Sequence, residues 1–189
     1  MRKILIAIIC LLLLLGAVGV FVVHTKSKEP PYIEPTPNTV IISHKAEPKQ
    51  EKSGVLGASE MTVAELEENT HAPLSQYAFY FIEAEAQTGV NAVFLTSVAA
   101  LESGWGTSEL AQNKNNLYGW TSNGGEMMTF DSKAQCIIYV AEKIKEHYLT
   151  PDGKYFNGYE VADINKRYNG RDEWAVAVTD IMEHIQKRV

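Results

Sequence analysis

Apolar residues recur at intervals of three and four through most of the chain from residue 59 onward, which predicts a mainly helical domain. Start and stop signals divide this pattern into separate helices, because capping residues open them and glycine or proline ends them. The predicted helices run from a Thr62–Glu65 capping box to Glu68, from Pro73 to Gly89, from Asn91 to Gly104, and over residues 132–148, 161–168 and 173–187.

The pattern changes between the third and fourth of these helices. Residues 115–120 alternate in polarity, residues 122–125 are turn formers, and residues 127–130 are again mostly apolar. This order predicts a small β hairpin. We therefore expect an α+β domain, mainly α with a small β hairpin lobe, and a cleft between two lobes is a natural binding site for a polymer.

The first part of the chain has a different character. Residues 4–23 form an uncharged apolar run long enough to span a bilayer, so residues 1–24 are predicted to be a transmembrane anchor. A cleaved signal peptide is the alternative, although the run is longer than usual and lacks a clear small-residue cleavage site. Residues 25–58 contain scattered prolines among polar residues and predict an extended stalk, which leaves residues 59–189 as the folded domain.

Charge is distributed unevenly between these parts. Residues 59–189 hold 10 basic and 19 acidic side chains, a formal charge of −9, whereas the remainder carries +3. An acidic folded domain lacks the basic patch of a nucleic-acid-binding protein. No nucleic-acid partner is therefore expected.

The strongest chemical signal is Glu102, which ends an apolar helix immediately before Gly104-Trp105-Gly106. The residues on its face of the helix are apolar, and such a setting disfavours the charged carboxylate. A general acid must hold its proton near neutral pH, so this position suits one. Trp105 offers a flat face for a sugar ring. The alternative is a structural carboxylate at a helix end, paired with a cation.

Other chemistries find little support. Cys10 lies in the apolar run and Cys136 in a helical pattern, so no disulfide framework is expected, and Cys136 is interpreted as a core residue. The histidines are scattered without metal-ligand spacing. We expect neither a metal nor a cofactor.

The motif around Glu102 resembles glycoside hydrolase family 73, the bacterial glucosaminidases that cleave peptidoglycan. The similarity lies in Leu-Glu-Ser-Gly-Trp-Gly at 101–106, Ser108, and Asn-Asn-Leu-Tyr-Gly at 115–119, and it extends over residues 59–189. Lytic transglycosylases share the Glu-Ser core but usually continue with a Gly-Leu-Met-Gln-like stretch that is missing here. The resemblance implies a lysozyme-like, two-lobed fold and hydrolysis of the β-1,4 bond after N-acetylglucosamine.

Further site residues follow less directly. Tyr168, six residues before Trp174, resembles the late tyrosine of the family that lies near the catalytic Glu, although Asn-Gly-Arg replaces the usual Ala-Thr-Asp after it; a buried core aromatic is the alternative. Glycosidases usually need a second carboxylate. Glu126 and Asp131 are the candidates, with solvated hairpin charges as the other interpretation.

An alternating triplet supplies the candidate sugar-binding surface. Asn116, Tyr118 and Trp120 would share one face of a strand, where they would bind sugar or pack between the lobes.

Three functions remain open at this point. The first is a peptidoglycan N-acetylglucosaminidase held outside the membrane by a single-pass anchor, with Glu102, Tyr168 and Glu126 as catalytic residues. The second is a lytic transglycosylase on the same polymer. The third is a non-catalytic wall-binding component of an envelope assembly. The expected partners are peptidoglycan strands and, through the anchor, the membrane.

Overall fold

The computed structural model describes residues 54–187, and these residues form a mainly helical domain. The helices are α1 (Val63–Asn69), α2 (Ala78–Thr88), α3 (Ala92–Ser103), α4 (Glu109–Lys114), α5 (Lys133–Tyr148), α6 (Val161–Tyr168) and α7 (Asp172–Gln186), with a 3₁₀ turn at Leu74–Tyr77 before α2. The six predicted helices are all present, with small shifts at their ends. The short helix α4 was not predicted.

Helix α3 forms the centre of the domain. Ten of its twelve residues are buried, which is why its sequence is apolar on every side. The Asn91 side chain caps its first turn by accepting hydrogen bonds from the backbone N–H groups of Val93 and Phe94. Helices α2 and α7 pack against α3, and α5 packs against α2. Because α3 is held on several sides, its C-terminal end is a rigid place for a functional side chain.

The folded domain begins earlier than the predicted boundary at residue 59. The Val55 side chain is fully buried in the core. The Val55 carbonyl accepts a hydrogen bond from the Asn91 N–H, and Leu56 forms an antiparallel bridge with Val90. Residues 54–58, which the proline and charge pattern assigned to the stalk, therefore belong to the domain. The rest of the predicted stalk lies outside the described residues.

The prediction of a β hairpin between α4 and α5 is wrong, because the segment does not form a pair of strands. Within residues 54–187 the segment between α4 and α5 keeps only one antiparallel bridge, Thr121 to Met127, at a turn closed by hydrogen bonds on either side. The segment is instead held by side-chain hydrogen bonds, described below. The domain is therefore mainly α.

No helix within residues 54–187 is long and apolar enough to cross a membrane. The predicted anchor at residues 4–23 lies outside the described residues.

Candidate active site

Glu102 lies in the last turn of α3, where the backbone is fixed by a tight hydrogen-bonded turn. Gly104 ends the helix in the left-handed conformation, with φ of 56°, which glycine adopts without a steric penalty. The Ser103 hydroxyl donates to the Ala99 carbonyl at 2.5 Å and accepts from the Gly106 N–H at 2.7 Å. These contacts lock the chain on both sides of the glutamate. The helix end therefore presents Glu102 in one defined direction.

The carboxyl group of Glu102 accepts a hydrogen bond from a tryptophan of α7, a helix that is distant in sequence but packs against α3. The indole N–H of Trp174, in the first turn of α7, donates a hydrogen bond to Glu102 Oε1 at 2.7 Å. Trp174 is only 5% exposed, whereas Glu102 is half-buried. The indole thus orients the carboxyl group through Oε1. The sequence pattern did not predict this contact.

A groove of about 1040 Å³ opens over Glu102. Its walls come from the end of α3, the loop between α4 and α5, one face of α5 from Tyr139 onward, the loop after it, and the end of α6. Six aromatic side chains line it: Tyr118, Trp120, Tyr139, Tyr148, Tyr155 and Tyr168. Among the described groove-lining residues, Glu102 is the only carboxylate. An aromatic-walled groove with one acid suits a sugar polymer and a proton donor.

Tyr168 lies in this groove beside the Glu102–Trp174 pair. Its ring centroid is 5.0 Å from that of Trp174 and 5.8 Å from that of Tyr148. The Tyr168 hydroxyl is buried and has no hydrogen-bond partner among the described residues. Burial, followed by the nearby Glu102 charge, raises the pKa of Tyr168 well above its usual value. The hydroxyl therefore stays protonated and can act as a hydrogen-bond donor.

Asn116 organises the loop between α4 and α5. The Asn116 side chain is buried, its amide N–H₂ donates to the carbonyls of Trp120 and Met128, and its oxygen accepts from the backbone N–H groups of Tyr118 and Trp120. An amide occupied in this way has no capacity left for a sugar. Asn116 therefore stabilises the loop and does not line the groove.

Tyr118 and Trp120 do line the groove, but not as neighbours on a strand. The Tyr118 hydroxyl donates to the Leu95 carbonyl at 3.2 Å, and burial raises the pKa of Tyr118 well above its usual value. Trp120 is half-buried, with its ring centroid 6.5 Å from that of Tyr168. Of the predicted sugar-binding triplet, Trp120 is thus the residue best placed to contact a ligand.

Trp105 lies outside the groove lining. The Trp105 backbone has a positive φ of 59°, and its indole meets the His71 ring edge to face at 4.5 Å, while His71 in turn stacks on His184. The structure therefore does not bring Trp105 to the groove beside Glu102.

Neither candidate for a second carboxylate reaches the groove. Glu126 is exposed at the turn near the Thr121–Met127 bridge, and its backbone carbonyl closes that turn. Asp131 is exposed and accepts a hydrogen bond from the Gln135 side chain at the start of α5. The structure thus separates both from Glu102.

The described residues offer neither a reactive thiol nor a metal-binding cluster. Cys136 is buried, its sulfur accepts a hydrogen bond from the Leu117 N–H, and burial raises its pKa to about 12, so it is a poor nucleophile. No cluster of three or more His, Cys, Asp and Glu side chains is placed to hold a metal ion within residues 54–187.

Comparison with known proteins identifies the family. A model of the glucosaminidase family, described as mannosyl-glycoprotein endo-β-N-acetylglucosaminidase, matches residues 78–187, more than half of the chain. The chain belongs to the glucosaminidase family. It is thus a member of a family of glycoside hydrolases, and the resemblance found in the Glu102 motif is confirmed.

Sequence relatives agree with this membership. Two proteins assigned as endo-β-N-acetylglucosaminidases, from two strains of Streptococcus pneumoniae, are 32% identical over 113 residues. The match covers 58% of this chain but only 17% and 16% of these relatives, so the chain corresponds to a small part of their length.

Two crystal structures of autolysin E from S. aureus share the fold. One, in complex with the muropeptide NAM-L-Ala-D-iGlu, has a TM-score of 0.58 at 22% identity, covering 71% of this chain and 70% of that one. The other, a catalytic mutant in complex with the disaccharide NAG-NAM, has a TM-score of 0.57 at 22% identity, covering 70% and 69%. The mainly helical, lysozyme-like fold is therefore confirmed.

Proposed function

We propose that this glucosaminidase domain hydrolyses the β-1,4 bond after N-acetylglucosamine in peptidoglycan glycan strands, with Glu102 as the general acid. The observation that carries the proposal is the position of Glu102 as the one carboxylate among the described residues of an aromatic-lined groove. Family membership and the two sugar-bound autolysin E structures support the substrate class.

We assign a separate task to each group on the basis of its position. Trp174 holds Glu102 Oε1, so the proton for the leaving glycosidic oxygen comes from Oε2. Tyr168, kept protonated by burial, is available as a hydrogen-bond donor next to the same carboxyl. Trp120 and Tyr155 offer rings against which sugars can stack. Closely placed groups of this kind lower the barrier by fixing the sugar relative to the acid.

Product analysis tests this proposal. Purified peptidoglycan digested with the enzyme, reduced with borohydride and examined by mass spectrometry should show new reduced N-acetylglucosamine ends. New 1,6-anhydro-muramic acid ends would instead identify a lytic transglycosylase. The absence of any new end would favour a wall-binding protein without catalysis.

We also propose that residues 4–23 anchor the enzyme in the cell membrane with the domain outside, because this run is long, apolar and lacks a clear cleavage site. The intact mass of the protein from the membrane fraction should then include this segment. Protein found in the medium and starting beyond Val23 would contradict the anchor and indicate a secreted enzyme.

A further inference from the structure

A cluster of basic side chains lines the groove together with Glu102. Lys143 and His147 lie one turn apart on α5, and Lys154 lies in the loop that follows this helix; we call these three residues the basic cluster. Residues 59–189 carry a formal net charge of −9, so the basic cluster has the opposite sign to the net charge of the domain. A groove with this local sign attracts anionic groups.

The loop that carries Lys154 is built to lie close against α5. A Cβ atom at Gly153 would lie 2.6 Å from the His147 carbonyl oxygen and 2.7 Å from that of Glu146, so only glycine fits there without a backbone shift. The Tyr155 N–H donates to the His147 carbonyl at 2.9 Å. These contacts fix the loop, and with it Lys154, beside the end of the helix.

The Tyr155 ring ties the basic cluster together. It meets the His147 ring in a T-shaped contact at 6.1 Å, and Lys154 Nζ lies 4.9 Å from the Tyr155 centroid. One aromatic ring thus contacts residues from both the helix and the loop. The basic cluster is therefore a compact feature of the groove wall.

The positive charge of the cluster is only partly neutralised. Glu146 pairs with Lys143 at 2.5 Å and lies 3.8 Å from His147 Nδ1, but its side chain is 57% exposed and is not part of the groove lining. Glu142, on the same helix, is also exposed and outside the lining. No carboxylate of the described residues pairs with Lys154. Lys154 thus places an ammonium group in the groove wall, and no carboxylate within residues 54–187 neutralises its charge.

We propose that the basic cluster binds a carboxylate of the substrate, and that it makes the enzyme prefer glycans that carry carboxylates over neutral ones. This inference rests on the proposed function and refines its substrate class. Peptidoglycan offers two sources of the same chemistry, the carboxylates of the stem peptide and, where a muramic acid carries no peptide, its free lactyl carboxylate. A neutral N-acetylglucosamine oligomer offers neither.

Binding to the full-length chain tests this inference without requiring catalysis. The probes for titration calorimetry are NAM-L-Ala-D-iGlu, its carboxyl methyl ester, the disaccharide NAG-NAM, and an N-acetylglucosamine disaccharide. The test variant is Lys143→Gln with Lys154→Gln. The matched control is Lys166→Gln with Lys187→Gln, which removes the same charge from two lysines outside the groove lining, each of which forms an ion pair as Lys143 does.

The test variant should bind the carboxylate probes about three- to tenfold more weakly, as expected for the loss of solvent-accessible ion pairs. Its affinity for the ester and for the N-acetylglucosamine disaccharide should not change, and the control should match the wild type throughout. The effect should shrink as salt is raised. The lactyl carboxyl of NAM-L-Ala-D-iGlu is bound in the amide to L-Ala, so a loss with this probe alone identifies the stem peptide as the source. A loss with NAG-NAM alone identifies the lactyl carboxylate, and a loss with both shows that the basic cluster accepts either carboxylate.

Equal affinities of the test variant and the wild type for the charged probes would overturn the inference and leave the proposed function intact. A wild-type protein that binds the neutral disaccharide but not the charged probes would overturn it too. A wild-type protein that binds none of the four probes would contradict the proposed function as well as the inference.

Discussion

Replacement of Glu102 by Gln should reduce peptidoglycan cleavage by about 10²–10⁴-fold, the usual contribution of general acid catalysis. The amide has nearly the same size as the carboxyl, and its oxygen can still accept the hydrogen bond from the Trp174 indole. The end of α3 should therefore stay in place while the transferable proton is lost. Release of soluble fragments from purified peptidoglycan measures the activity, and circular dichroism melting should show an unchanged or raised Tm.

Glu126→Gln is the matched control, since it makes the same chemical change at an exposed carboxyl outside the groove lining. Its activity should stay close to that of the wild type. A Glu102→Gln enzyme that still digests peptidoglycan at nearly the normal rate would exclude Glu102 as the acid and favour a wall-binding role. Comparable large losses in both variants would instead make Glu126 a second catalytic group.

The helices could be predicted because their signals are local. The Thr62–Glu65 capping box, the Asn91 cap and the glycines at 89 and 104 all stand where the sequence pattern placed them. Helix α4 was missed since its six residues are too few to show a periodic face, although Ser108 does cap it. The domain boundary was placed too late because Val55 is an isolated apolar residue whose burial depends on distant partners.

The loop between α4 and α5 shows where pattern reasoning fails. Alternation of Asn116, Tyr118 and Trp120 predicts a strand, because strand side chains point to opposite faces in turn. The Asn116 amide instead makes four hydrogen bonds to the backbone of its own loop, which replaces strand pairing. A buried asparagine that organises a loop leaves no periodic signature. Only the resemblance of its residue order to the glucosaminidase motif predicted that this segment belongs to the site.

The site itself could be predicted only in part. Glu102 was proposed because its motif is contiguous, and Tyr168 because it resembles a family position, and both line the groove. Trp105 is part of the same contiguous motif, yet its positive φ turns the indole towards His71, away from the groove lining. The contact between Trp174 and Glu102 joins residues 72 positions apart, and a tryptophan at helical spacing is ordinarily a core residue. Such a contact depends on how α7 packs against α3, which no local pattern reports.

Trp174 should be a positioning residue for Glu102, because its indole holds the carboxyl but does not line the groove. Trp174→Phe removes the N–H donor, and a hydrogen bond to a charged group contributes about 1.5–3 kcal/mol. If this stabilisation orients the acid for proton transfer, kcat should fall by about 10- to 150-fold. KM should stay nearly constant, since Trp174 does not contact the substrate.

Phenylalanine is also smaller than tryptophan, so Trp174→Phe should destabilise the buried junction of α3 and α7 by roughly 1–3 kcal/mol. A second variant separates the two effects: the Trp174 indole is replaced by benzothiophene, in which sulfur takes the place of the N–H while the shape is kept. This variant should retain the wild-type Tm and still show the reduced kcat. If it instead keeps the wild-type kcat while Trp174→Phe is slow, the indole acts only through packing, and the oxygen that donates the proton is not set by Trp174.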